Sequence, residues 1–189
     1  YNVRLLELDL WLTKDKHLVI MHWSSLVVTT NIEGDVNEYT LDELAHAAAA
    51  HHYPKLKGKG IGVPTLAEFL DTFAAIPDLL FMFDFKDTEV MLATLSFIKP
   101  YHIENRFMLG SVLFNTNKAL FLERETPYVP ICTDILQSFA ITLAHLVGVL
   151  GPWYEMTHDL WGFVLCKATK PFLTRSLIDD VHKKGGRVV

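Results

Sequence analysis

Residues 3–10 are apolar on both faces of the strand their alternation describes, with Leu6, Leu8 and Leu10 on one side and Val3, Leu5, Glu7 and Asp9 on the other. Apolar character on both faces is the pattern of a parallel-sheet strand covered by helices. Residues 18–21, Leu-Val-Ile-Met, repeat it. The link at 11–17 is shorter than the dozen or so residues of a parallel crossover. It therefore predicts an antiparallel hairpin that carries His22 back towards Glu7 and Asp9. Thr40 and Glu43 form a Thr-x-x-Glu capping box and predict a helix running into the Ala-rich residues 45–50. Residues 55–60, Lys-Leu-Lys-Gly-Lys-Gly, read as a basic loop.

Thr65 and Glu68 repeat the capping box, and Leu66, Phe69, Leu70 and Phe73 line one face of the helix it opens. Pro77-Asp78 ends that helix. Residues 79–85 are apolar except for Asp84, which predicts a second buried strand, and a helix follows at 88–98. Residues 107–112, 128–132 and 161–166 read as further short strands. Residues 173–184 read as an amphipathic helix, stopped by Gly185-Gly186 before Val188-Val189.

Strands alternating with helices along the whole chain indicate an α/β fold with a parallel sheet. Residues 1–189 read as a single, partial domain, because apolar strand-like segments lie at both ends. A (β/α)8 barrel usually takes about 250 residues. The expected fold is therefore a (β/α)8 TIM barrel incomplete at both ends, its first and last strands missing, with a β-hairpin after the first visible strand. A doubly wound open sheet is the alternative, but the sequence has no GxGxxG or P-loop to support it.

The net charge is −5, and Lys and Arg are scattered, so nothing points to nucleic acid. Cys132 and Cys166 each lie in an apolar run and read as buried free thiols. No stretch of residues 1–189 reads as a signal peptide, and none carries an Asn-x-Ser/Thr acceptor. The longest apolar run, residues 139–150, is shorter than the roughly 20 residues of a spanning helix. With Trp153 and Tyr154 after it, the run reads either as an interfacial segment or as a barrel helix with its loop.

Glu7 and Asp9 place two carboxylates side by side in an apolar setting. Such a pair needs a cation, a shared proton or a solvated mouth. Asp84 closes the second strand, where barrel active sites are built, and offers a third oxygen donor. Lys86 shares its face and can neutralise an anion such as a phosphate, or simply pair with Asp84. His22, at a strand end, suits general acid/base work, though a lone histidine can be structural. His46, His51 and His52 read as solvated, and His145, His158 and His182 lack partners at metal-binding spacing. No HExxH, CxxC or GxSxG motif occurs.

Taken in order, these segments resemble the glycerophosphodiester phosphodiesterase family. The resemblance rests on Glu7-Leu8-Asp9-Leu10, Val19-Ile20-Met21-His22, Thr29-Thr30-Asn31, Val63-Pro64-Thr65-Leu66-Ala67-Glu68 and Phe83-Asp84-Phe85-Lys86, and it continues through 171–189. The Phe-Asp-x-Lys form and the apolar stretch before Pro171 look most like the membrane-associated animal type. The resemblance implies a divalent metal, Mg2+ or Ca2+, on Glu7, Asp9 and Asp84. It implies catalytic roles for Lys86 and for His22 as one of two acid/base histidines. The implied substrate is a glycerophosphodiester or lysophospholipid, the implied product glycerol phosphate or a lysophosphatidate, and the implied location a membrane surface on either the cytoplasmic or the lumenal face. Two positions depart from the family pattern: Trp23 stands where Asp is usual, and Val28 where Arg is usual. A weakened or non-catalytic barrel that only binds, and a sphingomyelinase-D-like phospholipase, are the alternatives.

Overall fold

The computed structural model describes residues 3–110, 135–146, 160–161, 174–185 and 187–188. The strand expected at 128–132, most of that at 161–166, both cysteines and the Trp153-Tyr154 pair lie outside the described residues. The chain divides into two compact units, residues 1–106 and residues 107–189.

In the first unit, β1 (Leu5–Leu12) and β2 (Leu18–Ile20) form the expected antiparallel hairpin, with Leu10 opposite Ile20 and Leu12 opposite Leu18. The turn closes through the Thr13 N–H, which donates to the His17 carbonyl at 2.9 Å, and through Lys16 in the left-handed region at φ 67°. Beyond β2 the chain makes two short 3-10 turns, Leu26–Val28 and Val36–Glu38. Their buried residues, Leu26 and Val36, join Val19, Met21 and Leu44 in one apolar cluster flanked by Trp11, Ile32, Tyr39, Leu41 and Val63.

The capping box at Thr40 and Glu43 forms, but α1 (Leu41–Leu44) is a single turn rather than a helix through the alanines. The reason lies in the backbone donors. The Ala48 N–H is taken by the Asn31 side-chain oxygen at 2.6 Å and the Ala49 N–H by the Ile61 carbonyl at 2.9 Å. Alanine's helix propensity, small per residue, does not hold those donors in a helix against partners supplied by the fold.

The second box forms in full. Thr65 caps α2 (Leu66–Phe73), its Oγ1 accepting from the Glu68 N–H, and Leu66 and Leu70 are buried. Next come β3 (Leu80–Phe85) and α3 (Thr88–Phe97), the latter capped by Asp87, whose Oδ1 accepts from the Val90 N–H at 2.8 Å. β1 lies between β2 and β3 and pairs with β3 in parallel, placing Glu7 opposite Met82 and Asp9 opposite Asp84. Phe81, Phe83 and Phe85 are wholly buried on one face of β3. Phe69 of α2 meets Phe81 edge to face, with centroids 5.9 Å apart. The opposite face is polar at its C-terminal end.

Burial on both faces of β1 does not hold throughout. Leu8, Leu10 and Leu12 are buried, whereas Val3 is 56% exposed and Glu7 is exposed as well. On the face of β1 that bears the carboxylates, Leu5, Asp9 and Trp11 are half-buried and Glu7 is exposed.

The second unit contains β4 (Phe107–Gly110), all four residues buried, and α4 (Ile135–Leu146). It also contains β5 (Leu160–Trp161), α5 (Arg175–Lys183) and β6 (Arg187–Val188). β5 and β6 pair in parallel, and Leu177 and Val181 of α5 are buried. His145 of α4 meets Asp180 of α5, Nδ1 to Oδ2, at 2.9 Å. Among the described residues no helix is long and apolar enough to cross a membrane.

Candidate active site

Three carboxylates and one ammonium meet where the middle of β1 lies beside the C-terminal end of β3. Strand alternation puts Glu7 and Asp9 on one face of β1, and the parallel register sets Asp84 beside Asp9 on the same side. Carboxylate oxygens of Glu7, Asp9 and Asp84 all lie within 4.8 Å of one another. Lys86, just past β3, donates from Nζ to Asp84 Oδ2 at 2.8 Å and also to Asp9 Oδ1. Glu7 is exposed, Asp9 half-buried and Asp84 buried, so the cluster runs from solvent into the sheet.

The electrostatics are unbalanced. Three carboxylates face one ammonium, which leaves two surplus negative charges when all are ionised. Although Glu7 is exposed as a residue, partial desolvation of its carboxyl raises its pKa above the usual value, and the neighbouring Asp9 and Asp84 charges add to that rise. Lys86 and His22 pull it the other way. Asp84 is also raised, chiefly by burial, against the opposing hydrogen bond and charge of Lys86. Burial works against the Lys86 ammonium, but its hydrogen bonds to Asp84 and Asp9 outweigh it and raise its pKa. Lys86 is thus held protonated, while the acids stand in a field that favours any further positive charge.

One atom shows what the cluster lacks. Asp84 Oδ1 is buried and has no hydrogen-bond partner. An orphaned buried carboxylate oxygen costs on the order of 1–3 kcal/mol, more where it is charged. Every donor in the cluster is a carboxylate oxygen, the set that hard divalent cations take. The residues present fit such an ion.

His22 stands beside this cluster. The Met21 N–H donates to the Asp9 carbonyl at 3.0 Å, which fixes the segment after β2 against the acid-bearing part of β1. The His22 side chain is exposed, and its ring meets Trp23 edge to face with centroids 4.4 Å apart. Trp23 therefore contacts the imidazole, and Val28, the other departure, lies on the exposed 3-10 turn beyond it. All five residues singled out in the sequence fall within the first unit. Nothing in the sequence signals that Lys86 reaches Asp9, because that contact depends on the β1–β3 register. His46 and His52 are exposed, as expected.

Comparison with known proteins adds the lineage. Residues 1–95 match the model of the glycerophosphoryl diester phosphodiesterase family. A glycerophosphodiester phosphodiesterase of Caldanaerobacter subterraneus subsp. tengcongensis is 29% identical over 154 residues, covering 79% of this chain and 58% of that protein. The chain thus spans a little over half the length of that curated relative. Among solved structures, a glycerophosphodiester phosphodiesterase of Agrobacterium tumefaciens superposes with a TM-score of 0.70 at 16% identity, covering 97% of this chain and 72% of that one. A phosphodiesterase of Oleispira antarctica, in complex with its product sn-glycerol-3-phosphate, gives a TM-score of 0.66 at 16% identity, covering all of this chain and 81% of that one. At such identities the likeness carries the fold alone, and the fold is the (β/α)8 barrel class expected from the sequence. With its first 95 residues matching the family model and the acids and lysine of the resemblance gathered at the neighbouring strands β1 and β3, the chain belongs to the glycerophosphoryl diester phosphodiesterase family.

Proposed function

We propose that this chain carries a metal-dependent phosphodiesterase site that hydrolyses glycerophosphodiesters or lysophospholipids. The products would be glycerol phosphate or a lysophosphatidate, and an alcohol. The observation that carries the reading is the convergence of Glu7, Asp9 and Asp84 with a surplus of negative charge and an orphaned Asp84 oxygen. These three residues would hold Mg2+ or Ca2+. Bound there, the ion supplies Lewis-acid neutralisation of charge on a phosphoryl oxygen.

The chain's own side chains do the rest. Lys86 has three N–H donors, of which Asp9 and Asp84 take two, so one remains to bind a non-bridging phosphate oxygen. That contact orients the diester and stabilises the charge that builds on it. His22, exposed at the rim, moves a proton: water adds to phosphorus, the phosphorus–oxygen ester bond breaks, and the departing alkoxide leaves as the alcohol. Trp23 packs against the imidazole where the family has a carboxylate, so the tilt of His22 is set by ring packing rather than by a charged hydrogen bond. The same reading puts the protein at a membrane, because a lysophospholipid is met there.

The test is hydrolysis by the full-length protein of a panel that includes glycerophosphocholine and lysophosphatidylcholine, in Mg2+, in Ca2+ and in chelator. Turnover that needs the metal and falls in Glu7→Ala and Asp9→Ala supports the reading. Turnover that persists in chelator contradicts it. A His22→Ala protein that loses turnover yet keeps its metal assigns His22 to proton transfer, while a folded wild type that binds but never cleaves makes the barrel a binding module.

A further inference from the structure

Two loops beside His22 carry an unusual surface. Residues 22–32 and 45–64 contain no Asp or Glu, and the second contains Lys55, Lys57 and Lys59. Within these loops Trp23, Val27, Val28, Tyr53, Leu56 and Ile61 are each between 39% and 60% exposed. Hydrogen bonds tie the loops together: His52 Nε2 to the Val27 carbonyl at 3.0 Å, and the Ala48 N–H to Asn31 Oδ1 at 2.6 Å. Trp23 joins this rim directly to the His22 ring.

Burying six large apolar side chains would be the ordinary course for a loop, and single exposed ones need no explanation. Six on two linked loops, with three cations among them, do need one. All three lysines are exposed, and among the described residues no carboxylate lies within ion-pair distance of them. The tip stands clear of the rest of the unit: a Cβ added at Gly58, Gly60 or Gly62 would meet nothing within 4 Å. The acids between the loops are Glu33, Asp35, Glu38, Asp42 and Glu43. Glu38 Oε2 accepts from the Asp35 N–H and Glu43 Oε2 from the Thr40 N–H, and all five acids are exposed on the segment between the loops, outside both of them.

We propose that this rim is a docking surface for an anionic lipid bilayer, seating the Glu7–Asp9–Asp84–His22 site against the headgroup layer. Trp and Tyr favour the membrane–water interface, where a ring has one apolar side and one wet side. Aliphatic side chains on the same rim enter the acyl boundary, and lysines answer the negative lipid surface. Charge selects this occupant: a zwitterionic surface or an apolar protein groove would give the lysines no partner. The inference rests on the phosphodiesterase reading for its meaning, since it names how that site meets its substrate.

The experiment is co-sedimentation of the full-length protein with vesicles of phosphatidylcholine, with and without phosphatidylserine. It is run beside hydrolysis of soluble glycerophosphocholine and of vesicle-borne lysophosphatidylcholine. The variants are Lys55→Glu/Lys57→Glu/Lys59→Glu and Tyr53→Ser/Leu56→Ser/Ile61→Ser, each checked for an unchanged thermal melt. Wild type should pellet with the anionic vesicles, and the lysine variant should lose partitioning by more than about a hundredfold, the figure for removing three surface cations, because three anions also take their place. Hydrolysis of the soluble diester should be unchanged, while that of the vesicle-borne substrate falls. Equal pelleting of wild type and folded variants overturns the proposal whatever the enzyme does. So does a dimer that dissociates in the serine variant, which would give the rim to a second copy of the chain. Failure to hydrolyse either substrate strikes the phosphodiesterase reading instead and leaves the vesicle result standing.

Discussion

Asp84 shows how one position can be costly for folding and useful for chemistry. It closes a strand whose neighbouring phenylalanines are wholly buried, yet its Oδ1 has no partner and its carboxyl is raised by burial. Such local conflict is expected where function is served. Replacing it with Asn keeps the shape and removes the charge. Asp84→Asn should lower metal-dependent turnover by on the order of a hundredfold or more, as for loss of a group that stabilises developing charge. Glu7→Gln should do two opposite things. It relieves like-charge crowding, so the metal-free protein should melt at a higher temperature, and it should cancel the rise in melting temperature that added Mg2+ or Ca2+ gives the wild type. Melting curves with and without the ion check both, and a Glu7→Gln protein still stabilised by the ion to the wild-type extent would contradict the assignment. At this scale the sequence was informative. Two acids at alternate positions of an apolar strand are legible as a pair, and Asp84-Phe85-Lys86 as a polar strand end. What one residue reaches on another strand is not, which is why Lys86 read as a partner of Asp84 and its second bond, to Asp9, became visible only with the register.

Elements were legible where local chemistry decides them. Both Thr-x-x-Glu boxes formed, since the reciprocal side-chain bonds need only residues three apart. Thr65→Ala should cost about 1 kcal/mol, read by chemical denaturation as a lower midpoint with the same slope; no change would mean that packing alone sets the start of α2. The alanines after α1 misled because helix propensity is weak beside long-range bonds, here those from Asn31 and Ile61. The hairpin turn is joined to α1 in a way no pattern shows: Asp15 Oδ1 accepts from Thr13 Oγ1 at 2.6 Å and from the Leu41 N–H at 3.0 Å. The Thr13 hydrogen bond is the largest cause that holds the Asp15 carboxyl below its usual value of 3.8. A depressed carboxylate stabilises the fold above its unfolded pKa and loses that contribution as pH falls through its folded one. Unfolding followed from neutral pH down to acid should therefore fall less steeply in Asp15→Asn than in wild type, the difference opening only below about pH 4. Parallel pH curves would show that the junction carries no such linkage. Gly34 closes the nearby turn at φ 84°, a left-handed conformation that strains any residue with a Cβ, and an added Cβ would also displace Glu38 Oε2, 2.5 Å away.

For the molecule as a whole, the alternation of strands and helices was enough for an α/β fold with a parallel sheet, and the ordered set of segments was enough for the family and, through it, for the barrel. Composition and charge did little beyond turning attention away from nucleic acid. The parts that the pattern left open follow from contacts between distant residues: which face of β1 is the less buried, where β3 lies against it, and how hydrogen bonds join two loops. Under the proposed function, three acids from two strands share one divalent ion beside His22. This arrangement is tested most directly by crystals of the full-length protein grown with Mn2+ and examined for anomalous scattering. A single strong peak is expected, bonded to carboxylate oxygens of Glu7, Asp9 and Asp84, about 2.0–2.6 Å from each, with Lys86 still close by. A map with no peak there, or with the ion held by other residues while these carboxylates keep only Lys86, would contradict it.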